Sequence, residues 1–185
     1  MRIAQDERVL VVLISGPIAS GKSALARAVA GRLDEMAGSG CAVIDLDLVY
    51  EMLDPRRRPK SDQQLWTEAR RVAGRMASVL LREGRSAVVE GGDFTTEEHL
   101  AEFEHELPED AEVRLVRLDV DFSTALRRAR ADDSRGISKE AAFLSGHYAE
   151  FRTDWGDRDV LKLDTGSASL AETASAVVGW LTLAR

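Results

Sequence analysis

A three-layer α/β/α fold, with a five-stranded parallel sheet covered by helices on both faces, is the class that this 185-residue sequence predicts. Three observations predict it. Short apolar runs alternate with segments of helical periodicity along the whole chain, and parallel neighbours need helical crossovers. The first run, Val9 to Ile14, is continuously apolar and mostly β-branched, as a strand buried on both faces reads. Polar residues gather at the carboxyl ends of the runs, at Gly16, Asp45, Glu90, Asp121 and Asp164, the edge where open parallel sheets place their ligands.

The elements follow in order. After the first strand comes a glycine loop, Gly16 to Ser23, and then Leu25, Ala28, Val29, Leu33 and Met36 at the spacing of one helical face. Gly38-Ser39-Gly40 ends that helix, and Cys41 to Ile44 is a second strand ending at Asp45-Leu46-Asp47. Leu65, Ala69, Val72, Met76, Val79 and Leu80 mark a long helix from about Ser61 to Glu83, closed by Gly84. Ala87-Val88-Val89 is a third strand leading into Glu90-Gly91-Gly92-Asp93. Thr95 with Glu98 three residues later reads as a capping box for a helix ending near Pro108. A fourth strand spans Val113 to Val120. An Arg-rich helix from about Phe122 to Ala131, a polar loop from Asp132 to Gly136 and a helix from about Ser138 to Arg152 come next. Val160 to Leu163 is the fifth strand, and Asp164-Thr165-Gly166-Ser167 introduces a closing helix with Leu170, Ala174, Val177, Val178 and Leu181 on one face. No linker or repeat interrupts the series, so one domain over residues 1–185 is expected.

Composition narrows the function. Lys plus Arg total 25 and Asp plus Glu 32, a net charge of −7 that repels an extended phosphate backbone and argues against general nucleic-acid binding. Val9 to Ile14, the longest apolar run, is too short to cross a bilayer, and no leader pattern opens the sequence, so no membrane association is expected. A single cysteine, Cys41, fits a reducing compartment, and a soluble cytoplasmic protein is expected.

Gly16 to Ser23 fits G-x-x-x-x-G-K-S, and each part has a task. Backbone N–H groups of the loop cradle phosphates, Lys22 reaches the β and γ phosphates, and Ser23 ligates Mg2+. Gly16, Ala19, Ser20, Gly21, Lys22, Ser23 and Ala24 are accordingly the expected nucleotide-binding positions. Asp45 and Asp47 end the second strand, and alternation along an extended chain points both to one side. One carboxylate would serve Mg2+, the other would accept the proton of an attacking hydroxyl. The plainer alternative makes Asp47 the N-cap of a turn from Leu48 to Leu53 and Asp45 a solvated strand end. Glu90 can orient water around Mg2+, with Gly91 and Gly92 letting a substrate approach the backbone, or the segment is a plain turn.

Arg127, Arg128, Arg130 and Arg135 surround the loop after the fourth strand, where guanidinium groups suit transferring phosphates; Arg127 and Arg135 are the leading candidates. Arg56-Arg57-Arg58-Pro59-Lys60 reads as an exposed basic loop that could also attract an anionic acceptor. His99, His105 and His147 show no metal spacing and are assigned no chemistry. Cys41 and Trp180 read as core, and Trp66 as a residue of the long helix where an acceptor pocket could form.

Gly16 to Ser23, the Asp45-x-Asp47 pair, Glu90-Gly91-Gly92 and the Arg-rich segment together resemble the small P-loop kinases, a group with shikimate, gluconate and adenylylsulfate kinases, chloramphenicol phosphotransferase and the nucleoside monophosphate kinases. The resemblance spans the first strand to the closing helix and implies the strand order 2-3-1-4-5. It implies ATP and Mg2+ as cofactors and a small-molecule hydroxyl as acceptor. Lys22, Asp47, Arg127 and Arg135 would be catalytic. Ser23, Asp45 and Glu90 would be on the metal side, and Asp47, Gly91 and Gly92 on the acceptor side. Arg127 would also contact ATP, and Asp164-Thr165 would pass the adenine ring. Residues 47–84 would form the acceptor-binding region and residues 127–138 the lid. The chain lacks the arginine and aromatic pattern of a nucleoside monophosphate site. An ATP-driven switch or slow ATPase acting on a protein partner, and a nucleotide kinase, are the rival readings.

Overall fold

A computed structural model describes residues 9–38, 40–56 and 61–183. Its elements are β1 (Leu10–Ser15), α1 (Lys22–Ala37), β2 (Cys41–Asp45), α2 (Leu46–Leu53), α3 (Gln63–Arg82), β3 (Ser86–Glu90), α4 (Glu97–Glu104), β4 (Glu112–Asp119), α5 (Phe122–Ala131), a 3-10 turn (Ile137–Lys139), α6 (Ala141–Glu150), β5 (Val160–Asp164) and α7 (Leu170–Leu183). The strands form one parallel sheet in the order β2-β3-β1-β4-β5, the order that the resemblance implies.

Side-chain alternation on β1 builds the layers. Val11 and Leu13 point into a core with Ala69, Ala73, Ala77 and Leu81 of α3 and Leu100 and Phe103 of α4. Leu10, Val12 and Ile14 point the other way, against Leu25, Ala26 and Val29 of α1 and Ala174, Val177 and Leu181 of α7. β1 is therefore buried on both faces, which is why its sequence is apolar from Leu10 to Ile14. The small residues of α3 permit close helix contact. A Cβ on Gly74 would lie 2.4 Å from the Phe103 carbonyl oxygen, so α3 and α4 pack through that position. Trp66 belongs to this core, 8% exposed, with its ring centroid 4.3 Å from that of Tyr50. Trp180 is only partly buried and carries the Arg114 guanidinium 5.6 Å above its ring.

Two local expectations are corrected. The cap of α4 is Thr96, whose hydroxyl accepts from the His99 N–H at 3.2 Å, so Glu98 closes no box with Thr95. The helix expected from Ser138 to Arg152 is broken, because Glu140 is extended (ψ 123°) between the 3-10 turn and α6. A reciprocal capping box lies instead at Ser169 and Glu172, ahead of α7. Ser169 N–H donates to Glu172 Oε2 at 2.8 Å, and Glu172 N–H donates to Ser169 Oγ at 3.2 Å.

Candidate active site

The carboxyl edge of the sheet brings the polar residues together. Ile14 of β1 and Asp45 of β2 both stand opposite Glu90 of β3. The chain leaves β1 into the loop of residues 16–23 and enters α1 at Lys22. Two backbone features shape that loop. Gly21 has φ +94°, and Gly16 packs so tightly that a Cβ there would lie 2.7 Å from the Leu118 carbonyl oxygen. Ala19 has φ +61°, the one positive φ at a non-glycine among the described residues. Such a conformation costs about 1–2 kcal/mol, which the surroundings must offset.

Those surroundings are hydrogen bonds on either side of Ala19. Thr165 Oγ1 donates to the Ser20 carbonyl at 2.8 Å, and Arg128 holds Thr165 through its hydroxyl at 3.1 Å and its carbonyl at 2.5 Å. Ile18 N–H donates to His147 Nε2 at 3.2 Å, and Tyr148 Oη donates to the Ile18 carbonyl at 2.9 Å. Lys22 Nζ reaches back over the loop to the carbonyls of Gly16 at 2.9 Å and Pro17 at 3.0 Å. Desolvation lowers the pKa of that ammonium, and the carboxylates of Glu90, Asp47 and Asp45 oppose the shift.

Opposite Lys22 lies an acidic group. Glu90 is 2% exposed, and burial pushes its carboxyl up to about 7, with Asp45 and Asp47 adding to the rise. A hydrogen bond from Ser23 and the charge of Lys22 pull it down. Ser23, Glu90, Asp45 and Asp47 thus share one electrostatic neighbourhood beside Lys22. The pair Asp45 and Asp47 arises differently from the extended-strand expectation, because α2 begins at Leu46. Asp45 is the N-cap, its Oδ1 accepting from the N–H of Asp47 at 2.9 Å and of Leu48 at 3.3 Å. Asp47 is then a first-turn residue of α2 and not its cap.

Gly91 and Gly92 prove unequal. A Cβ on buried Gly91 would lie 2.8 Å from Leu46 Cβ, so the missing side chain admits α2. Gly92 lies at the tip of Lys22, its Cβ position 3.7 Å from Nζ. Beyond it, Asp93 bonds the Nη1 of Arg70, a guanidinium 1% exposed. Arg70 Nε also donates to Glu102 at 2.5 Å and Nη2 to Thr67 at 3.1 Å. Burial pushes the Asp93 carboxyl up to about 6, and Arg70 opposes it. No spacing in the sequence pointed to Arg70.

The arginines of α5 also sort out differently from expectation. Arg127 is exposed and donates to Thr124 at 3.2 Å, whereas Arg128 reaches the phosphate-loop brace. Arg130 is exposed too. Arg135 pairs with Asp132 at 3.0 Å, and its charge is felt at Lys22. Thr165 is buried, its hydroxyl engaged by Ser20 and Arg128. Ala24 is exposed one residue past Ser23. Burial pushes the Cys41 thiol up to about 11, which keeps it unreactive. Arg56 is exposed, and the remainder of the basic segment, 57–60, lies outside the described residues. No described helix is long and apolar enough to cross a membrane.

The residues present fit a nucleotide with Mg2+. Ser20 Oγ is buried with no hydrogen-bond partner among the described residues, which leaves a polar group in the loop unsatisfied. Burial raises the Glu90 carboxyl most, the charges of Asp45 and Asp47 add to the rise, and a cation placed beside these three carboxylates would favour their charged forms. Among the described residues no three acidic, histidine or cysteine side chains surround one point. Mg2+ suits that arrangement, since it keeps several waters and takes few protein ligands beside phosphate oxygens.

Comparison with solved structures finds the same fold in several kinases. A sugar kinase from Janibacter sp. HTCC2649 superposes with a TM-score of 0.71 at 17% identity, covering 94% of this chain and 95% of that one. The Mycobacterium tuberculosis APS kinase, solved with AMPPNP and APS, gives 0.70 at 20% identity, covering 95% and 98%. Shikimate kinase from Bacteroides thetaiotaomicron gives 0.61 at 16%, covering 94% and 98%. No curated protein matches the chain in sequence. The family model described as an AAA domain matches residues 11–143. By that match the chain belongs to the AAA domain family, and it has the fold of the small P-loop kinases.

Proposed function

We propose that this protein is an ATP- and Mg2+-dependent kinase that moves the γ-phosphoryl group to a hydroxyl of a small molecule. The observation that carries this reading is the placement of Lys22 between a phosphate-binding loop and the carboxylates of Glu90, Asp45 and Asp47. Phosphoryl transfer needs a clamp for phosphates, a cation site and a base for the incoming hydroxyl, and the loop with Lys22, the group Ser23, Asp45 and Glu90, and Asp47 would supply them in that order.

The chain's residues divide the work. Backbone N–H groups from Ala19 to Ala24 hold the phosphates at the start of α1. Lys22, whose ammonium rests on the Gly16 and Pro17 carbonyls, would bind the β and γ phosphates, and Ser23, Asp45 and Glu90 would hold the metal and its waters. Bound Mg2+ would neutralise charge on the β and γ oxygens and keep the phosphates in position. Asp47, at the first turn of α2, accepts the hydroxyl proton of an acceptor held over Gly92. Residues 47–84 form the acceptor-binding region. Residues 127–138 form the lid, from which Arg135 faces Lys22 and Arg127 reaches ATP on closure, while Thr165 and its loop flank the adenine.

ADP release from Mg-ATP, with and without pooled hydroxylated metabolites and antibiotics, tests the reading. Stimulation by a pool, abolished in Lys22→Ala, is the expected result. Appreciable release that no pool increases would replace the kinase with an ATPase or switch, since a kinase lid excludes water from the phosphate.

A further inference from the structure

We infer that His147 and Tyr148 of α6 are positioning residues that clamp the phosphate loop at Ile18 and thereby make nucleotide affinity depend on how the lid-side helices are seated. The inference rests on the nucleotide-binding reading of the loop and adds to it a part with no counterpart in the motif.

The geometry is two-sided. Both polar groups of the Ile18 residue are engaged by consecutive residues of one helix, the N–H by His147 Nε2 at 3.2 Å and the carbonyl by Tyr148 Oη at 2.9 Å. The acceptor role requires Nε2 to be unprotonated, which places the neutral ring's proton on Nδ1. Burial, first, and the facing charge of Lys22, second, lower the pKa of His147 and so favour that form. Burial pushes the Tyr148 hydroxyl up to about 12, so it remains a donor.

Packing ties the clamp to the lid. Ala19, Val120, Ala125, Ala129 and Leu144 form a third buried cluster, separate from the two sheet faces, with Ile18, Phe122, Leu126 and Tyr148 packed on it. The ring of Phe122 meets Tyr148 edge-on at 5.9 Å. α5, α6 and the first half of the phosphate loop are thus one packed unit. The strained Ala19 sits inside it, with Ile18 clamped on one side and Ser20 held by Thr165 on the other. Without the clamp the loop relaxes into other conformations, and apparent affinity falls in proportion to the fraction that stays competent.

The test is calorimetric binding of Mg-AMPPNP to the full chain and to three variants, with thermal melts of each. His147→Leu removes the acceptor, Tyr148→Phe removes the donor, and His147→Gln restores an acceptor oxygen near Nε2. Loss of one such bond is expected to weaken binding about fivefold, from roughly one net hydrogen bond. His147→Gln is expected to bind within about twofold of the parent, by the same reckoning. Equal affinity in all four proteins would overturn the clamp. Equal weakening of His147→Leu and His147→Gln, in step with their melting temperatures, would also overturn it by reducing His147 to a packing residue. Failure of the parent protein to bind Mg-AMPPNP would instead remove the nucleotide reading on which the clamp rests.

Discussion

The phosphate loop and the acidic edge facing it across Lys22 are built in opposite ways. The loop is shaped by backbone groups: Ile18, Ser20, Gly16 and Pro17 are held through their peptide N–H or carbonyl atoms, by side chains from α1, α6 and the loop after β5. The edge is shaped by burial and side-chain charge: the Glu90 and Asp93 carboxyls are raised by desolvation first and by neighbouring carboxylates second, with Lys22 offsetting the rise at Glu90 and Arg70 at Asp93. Backbone-held geometry tolerates many side chains but no slack, whereas a charge cluster tolerates slack but no missing partner. Substitutions on the two sides should therefore fail differently, the loop in affinity and the edge in turnover or stability.

The largest effect is expected on the acidic edge. Asp47→Ala should lower turnover by about a hundred- to ten-thousandfold, the range for removing a general base, with Mg-AMPPNP affinity nearly unchanged. Steady-state rates and calorimetry on one preparation separate the two quantities. Full turnover in Asp47→Ala would move the base elsewhere on the edge.

Arg70→Met comes next and acts through folding. It leaves Asp93 and Glu102 without their buried partner, at side-chain exposures of 22% and 16%. Removing one member of a buried ion pair costs about 3–5 kcal/mol, here at the lower end because both carboxylates are partly wet. Urea unfolding gives the difference directly. A double variant Arg70→Met with Glu102→Gln should recover part of the loss, and no recovery would mean that the network matters through packing rather than charge.

On the loop side the expected signature is pH-dependent affinity. His147 faces Lys22 and, from its own helix, Glu150. Its pKa in the folded chain is lowered from 6.5, so the neutral, accepting form is retained as the solution is acidified below that value. The contribution of the clamp is complete above pH 6.5 and is lost as pH falls through the lowered pKa. Mg-AMPPNP affinity of the parent should fall relative to His147→Gln across that interval, the nucleotide's own titration cancelling between the two. Parallel profiles would show that no proton on His147 matters to the loop.

What the sequence made legible follows the same division. Strands, helices and the loop at residues 16–23 are local patterns, and, apart from the helix expected from Ser138 to Arg152 that breaks at Glu140, they stand where periodicity and the glycine spacing put them. The departures are contacts or rotations that locality does not encode. Arg127 and Arg128 are adjacent, yet about 100° of helical rotation sends one to solvent and the other to Thr165. Asp45 and Asp47 looked like an extended pair because no breaker separates β2 from α2, and the strand passes directly into the helix that Asp45 caps. His147 approaches Ile18 across 129 positions of sequence, so its role emerges only once α6 docks. Ser169-x-x-Glu172 was a readable capping signal that the turn residues before it obscured.

The smallest effect sharpens the contrast most. Ala19→Gly relieves a positive φ worth about 1–2 kcal/mol in an alanine. Against that stand the loss of a buried methyl group, about 0.8 kcal/mol, and the entropy a glycine adds to the unfolded chain, about 0.4–1 kcal/mol. These nearly cancel, so the melting temperature should move by less than about 2 °C. Affinity for Mg-AMPPNP is another matter, because a glycine between Ile18 and Ser20 widens the conformations open to the loop. If the clamped peptides on either side fix the loop by themselves, affinity will also stay constant. A fall of a few-fold with an unchanged melting temperature would assign part of the loop's preorganisation to the Cβ of Ala19, packed in its own small core with Val120, Ala125 and Leu144.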